Sequence, residues 1–111
     1  MDIEKQSMNG VIVVKPIGSI DATSAPGLAE SIDEIVAGND IHLVADFSEV
    51  DYTSSAGLRV LLGAVKDTRA QGGDIRLAGV LPDVLKVLSL SGFTSILKLY
   101  DDVNAAVASF Q

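Results

Sequence analysis

The sequence predicts an α/β fold: a mixed, mostly parallel sheet with an opening β-hairpin, its elements in the order ββαβαβαβα. Three observations predict it. Short apolar, β-branched runs alternate with stretches whose apolar residues recur at helical spacing, and glycine or proline punctuates most junctions. The third is the run Ile41 to Phe47, which is apolar on both faces over most of its length, as a strand covered on both sides must be. Strands and helices that alternate after a hairpin are joined by right-handed crossovers between parallel strands.

Val11-Ile12-Val13-Val14 is a β-branched run closed by Pro16 and Gly18, and Ile3 to Met8 is a weaker strand placed to pair with it at a sheet edge. Asp21-Ala22-Thr23-Ser24-Ala25-Pro26 starts a helix. Thr23 and Ser24 offer capping hydroxyls, Pro26 suits the first turn, and Leu28, Ile32, Ile35 and Val36 form one apolar face up to a stop at Gly38. Ile41 to Phe47 follows as a central strand. Next comes a helix headed by Ser54 and Ser55, in which Leu58, Leu61, Leu62 and Val65 fall at i, i+3, i+4 and i+7. It runs to about Ala70, and Gly72-Gly73 ends it before the strand Ile75 to Val80. Leu81-Pro82-Asp83 opens a short helix through Val84, Leu85, Val87 and Leu88 that stops near Gly92. A strand around Leu97 to Tyr100 and a helix from Asp102 complete the order.

Composition narrows the function. A chain of 111 residues suits one domain, 1–111, and 48% hydrophobic with 21% charged residues is too apolar for a disordered tail. The net charge of -7, with eight scattered Lys and Arg, argues against nucleic acid and against an anionic membrane, both of which need clustered cations. The absence of cysteine excludes disulfides, a thiolate zinc site and a cysteine nucleophile, and fits a reducing compartment; a cytoplasmic location is expected. Met1 to Gln6 lacks the basic and apolar regions of a signal peptide, and no apolar run approaches the ~20 residues of a membrane span.

The serine pair is the best candidate for a chemical site, because it puts hydroxyls where a helix begins. Catalysis by it is not expected. The only histidine, His42, starts a core strand, and Gly-x-Ser-x-Gly, a phosphate-binding loop, a dinucleotide fingerprint and a metal-spaced His pair are all absent. Asp46, at the end of the central strand, raises the reading of an aspartate that takes phosphate, but the first strand lacks the acidic pair such a site needs. A helix start does favour a covalently attached phosphate, which should stabilise the helix in cis by about 0.3–1 kcal/mol. Burying that charge against a partner costs several kcal/mol, so the larger effect belongs to an interface.

Several segments carry a family resemblance: Gly18-Ser19-Ile20-Asp21, Ala45-Asp46-Phe47-Ser48 through Asp51-Tyr52, Ser54-Ser55-Ala56-Gly57-Leu58-Arg59, the Gly72-Gly73 turn and Leu88-Ser89-Leu90-Ser91-Gly92-Phe93. The chain resembles anti-sigma factor antagonists, single STAS domains, along nearly its whole length. The resemblance implies a STAS-type fold with helices mainly on one face, and a cytoplasmic bacterial regulator that is no enzyme. Unphosphorylated, such a protein binds an anti-sigma factor of the switch-kinase type and frees its sigma factor. The kinase then phosphorylates a serine and ends the binding, and a serine phosphatase resets the switch. The chain itself would hold no cofactor or metal, ATP and Mg being supplied by the kinase.

Ser55 matches the family's phosphoacceptor, with Ser54 as the alternate, because Ser54 stands where the family often has aspartate and Ala56 replaces a second serine. Asp21 matches an acidic position before the first helix. The resemblance places Asp21, Thr23, Ser24, Thr53, Ser54, Ser55, Ala56, Gly57 and Arg59 on one partner-facing surface. Arg59, four residues past Ser55, is placed to pair with a phosphoserine or with an acidic residue of the partner. A monomer or weak dimer is expected, without direct contact to nucleic acid or membrane. The competing reading is a STAS domain that senses a small anion or nucleotide at the same helix start, or one that serves another partner-switching output.

Overall fold

The computed structural model describes residues 1–111. β1 (Asp2–Met8) and β2 (Val11–Ile17) form an antiparallel hairpin across the Asn9-Gly10 turn, Met8 opposite Val11. There follow β3 (Ser19–Ile20), α1 (Ala25–Ala37), β4 (His42–Asp46), β5 (Tyr52–Thr53), α2 (Ser55–Ala70), β6 (Asp74–Ala78) and α3 (Pro82–Leu90). A 3-10 turn (Phe93–Ser95), β7 (Leu99–Tyr100) and α4 (Val103–Ala108) end the chain. The main sheet runs β1-β2-β4-β6-β7 and is parallel except for β1.

The expected ββαβαβαβα order is present, with one addition. β3 and β5 pair with each other in parallel, Ser19 opposite Tyr52 and Ile20 opposite Thr53, as a separate two-stranded sheet. Two-residue strands have no period to detect, so the sequence pattern passes over them. The last strand is shorter than expected: Leu97 lies before it, 4% exposed in the core, after the 3-10 turn.

The strands sort their side chains by alternation. Val14, Leu43, Ala45, Phe47, Ile75 and Leu77 join Leu28 and Ile32 of α1, Leu61 and Val65 of α2 and Val84 and Leu88 of α3 in the larger core cluster. Val11, Val13, Val44 and Ala78 point the other way, against Ala106 and Val107 of α4. β4 therefore reads as apolar on both faces because helices cover both, three on one side and one on the other. Each fully buried Leu, Ile, Val or Phe contributes about 1.5–3 kcal/mol.

The helices end as their sequences suggest, for reasons that differ within the Gly72-Gly73 pair. Gly72 takes a φ of 86°, and Gly73 packs against the backbone of Ile41, where an added Cβ would stand 2.7 Å from the carbonyl carbon. Asp74 N then donates to Ile41 O at 2.9 Å, which starts β6 beside β4. No helix is long and apolar enough to cross a membrane.

Candidate functional site

The site is assembled where the β3–β5 pair meets the start of α2. Ser54 is extended, with φ -91° and ψ 177°, and Ser55 is the first helical residue. Ser54 N donates to Ile20 O at 2.8 Å, Leu58 N donates to Ser54 O at 3.1 Å, and Ser19 Oγ donates to Asp51 Oδ1 at 2.9 Å. The first and third of these bonds tie the turn to β3 from both sides, and the second closes the first turn of α2. Gly57 sits flat on the pair: a Cβ there would collide with Thr53 Oγ1 and lie 2.8 Å from Ile20 Cγ2. Any side chain at 57 would lift the first turn of α2, and Ser55 with it, away from Ile20.

The two serines are not equivalent. Ser54 occupies the N-cap, yet its hydroxyl makes no capping bond and is buried without a hydrogen-bond partner. Ser55 is exposed on the first turn. The unpaired N-H groups of that turn and the helix dipole favour negative charge at the Ser55 hydroxyl.

The loop before α1 holds Asp21 beside this turn through β3. Asp21 Oδ1 accepts from the backbone N-H of Thr23 and of Ser24, both at 2.9 Å; Ser24 Oγ accepts from Asp21 N at 2.9 Å and donates to Ser19 O at 2.8 Å. Of Asp21, Thr23 and Ser24, all of them turn and capping candidates, the carboxylate of Asp21 does the capping, as an Asx turn, and Ser24 closes the loop from the other side. The Ser24 and then the Thr23 N-H hold the Asp21 carboxyl below its ordinary value of 3.8. A folded-state value below the unfolded one means that this stabilisation is complete above pH 3.8 and is lost as the pH falls through the lower folded value. In an NMR titration the Asp21 carboxyl is therefore expected to titrate below 3.8, moving the Thr23 and Ser24 amides with it. A midpoint at or above 3.8 would contradict the loop geometry.

Asp21, Thr23, Ser55 and Arg59 are exposed, and Ser24, Ser54 and Ala56 are half-buried. Thr53 (2% exposed) and Gly57, expected on the same surface, are buried and set the height of α2 from beneath. Arg59 is one helical turn past Ser55 and takes part in no ion pair. Beside these residues the structure exposes Tyr52 on β5, 52% accessible, with Leu81 and Leu85 at the start of the neighbouring α3. Leu85 reads in the sequence as one more position on an apolar helix face, and a two-residue strand gives no sign of which way Tyr52 points.

His42 lies at the start of β4, at the opposite end of the strand from the turn that leads to the site, and no three acidic or histidine side chains are arranged to hold a metal ion. What the turn offers is an accessible hydroxyl on a helix start, framed by the Asp21 loop. The fold and this turn define a STAS domain, and the STAS domain family matches residues 2–106. The chain is similar to BtrV of Bordetella bronchiseptica, 31% identical over 111 residues that cover 100% of this chain and 96% of that protein. It is also similar to the anti-sigma F factor antagonist of Paenibacillus polymyxa, 30% identical over 107 residues, 95% of this chain and 92% of that one. The crystal structure of an anti-sigma factor antagonist from Mycobacterium paratuberculosis superposes with a TM-score of 0.86 at 26% identity, covering 97% and 92% of the two chains. This chain belongs to the STAS family of anti-sigma factor antagonists.

Proposed function

We propose that this protein is a phospho-switched antagonist. Unphosphorylated, it binds an anti-sigma factor of the switch-kinase type and so releases the sigma factor; phosphorylation of Ser55 by that kinase ends the binding, and a serine phosphatase restores it. The observation that carries the reading is the contrast at the head of α2, where the Ser55 hydroxyl is exposed and that of Ser54 is buried. A kinase reaches Ser55 without disturbing the fold, whereas Ser54 would first have to leave its pocket. The antagonist is a substrate and binding partner, not an enzyme; ATP and Mg come with the kinase. It acts in the cytoplasm, as a monomer or weak dimer, without contact to nucleic acid or membrane.

The test is incubation with the switch-kinase anti-sigma factor encoded in the same genome, with ATP and Mg, followed by intact mass measurement and phosphopeptide mapping. One phosphate on Ser55 is expected, lost in Ser55→Ala and retained in Ser54→Ala. Modification of Ser54 alone, or of neither serine, contradicts the proposal.

A further inference from the structure

An open groove of about 490 Å³ lies between α1 and α2 and begins at Ala56, next to Ser55. Its two sides match. On α2 Arg59, Gly63 and Asp67 stand four residues apart along one stripe, and on α1 Ala25, Ala29 and Asp33 do the same. The groove stays open because its middle is lined by the smallest side chains; a Cβ built on Gly63 meets nothing within 4 Å. Its ends carry unused charge. Arg59 at the near end and Asp33 and Asp67 at the far end are all exposed, and none is in an ion pair.

We propose that this groove receives a short amphipathic helix of the anti-sigma factor. An apolar side chain of that helix rests over Ala29 and Gly63, a Lys or Arg meets Asp33 and Asp67, and an acidic residue meets Arg59. The inference rests on the antagonist reading and adds a second docking point to it. Arg59 and Asp67 are eight positions apart along α2, roughly 12 Å at 1.5 Å per residue, which is about the length of two turns of a partner helix. The groove is continuous with the Ser55 turn through Ala56, so a partner seated there also covers the switch. The net charge of -7 opposes the approach of a second copy of this chain and favours a basic partner, and the continuity with the Ser55 turn points to the partner that the switch controls.

The purified anti-sigma factor from the same genome is titrated calorimetrically into wild type, Gly63→Leu, the double variant Asp33→Lys/Asp67→Lys, and Ser55→Asp, with thermal melts of each. Leucine fills the groove and has the higher helix propensity, so Gly63→Leu is expected to raise Tm while weakening binding at least tenfold. The double variant is expected to weaken binding at least tenfold with the fold intact. Wild-type affinity in both groove variants overturns the inference, and if Ser55→Asp is weakened in the same series the switch stands without it. Weakened groove variants beside an unaffected Ser55→Asp keep the groove and overturn the switch. No binding by wild type overturns both. A wild-type dimer in light scattering that Gly63→Leu converts to monomer puts a second copy in the groove and overturns the assignment to the anti-sigma factor.

Discussion

Ser55→Asp is expected to weaken capture of the anti-sigma factor on the order of a hundredfold, about 3 kcal/mol, while its thermal unfolding stays at or slightly above that of wild type. The two halves of this result have separate causes. Within the domain, a carboxylate on the first turn of α2 meets unpaired N-H groups and the positive end of the helix dipole, worth about 0.3–1 kcal/mol in favour of the fold. At the interface, the same carboxylate loses its water against a surface shaped for a hydroxyl, and that desolvation is several times larger. A phosphoserine carries about twice the charge and should do more. Isothermal titration against the anti-sigma factor, with melts run in parallel, separates the two. Undiminished affinity in a folded Ser55→Asp would remove Ser55 from the interface, and a large loss of Tm would mean that the turn is less tolerant of charge than its geometry indicates.

The largest expected loss of stability lies at the other end of the sheet. Asp74, the first residue of β6, is 6% exposed and holds two arginines, accepting from Arg69 Nε at 2.9 Å and from Arg76 Nε at 3.0 Å, with Ile75 N donating as well at 3.0 Å. Both arginines reach onward. Arg69 donates to Ile96 O at 2.7 Å, fastening the segment before β7. Arg76 donates to Ser109 O at 2.8 Å and to Ser109 Oγ at 2.7 Å, and lies 4.0 Å over the ring of Phe110, which holds the end of α4. Removing one member of a buried pair leaves the other charge stranded, at a cost of roughly 3–5 kcal/mol. The Arg69 side chain is 40% exposed and keeps much of its hydration, so Asp74→Ala is placed near 3 kcal/mol, nearly all of it through Arg76, whose side chain is 13% exposed. Urea unfolding measures the loss, and hydrogen exchange should show α4 opening first. A loss below about 1 kcal/mol would show that the arginines re-pair or hydrate easily.

This clamp was not legible in the sequence, and the reason is instructive. Arg69, Asp74 and Arg76 belong to a helix end and a strand start on either side of Gly72-Gly73, and only the turn brings them together. The hairpin, α1, α2 and the both-face apolar strand were legible, because burial imposes a period on consecutive residues and the period survives in the sequence. The site was legible in its chemistry and less so in its depth. Of the residues expected at the site, Asp21, Ser55 and Arg59 are exposed. Thr53 and Gly57 belong to the same motif but lie underneath it, since their orientation depends on β3, a strand too short to announce itself.

The pairing of β3 with β5 also bears on when the surface comes into being. Ser19 and Asp51, joined across it, are 32 residues apart, and α1 and β4 lie between them. Contacts of such separation close late, after the intervening chain has collapsed, because the entropy of loop closure must first be overcome. Until α1 and β4 have packed between them, β3 and β5 cannot pair, so the seated start of α2 exists only once that part of the fold has closed.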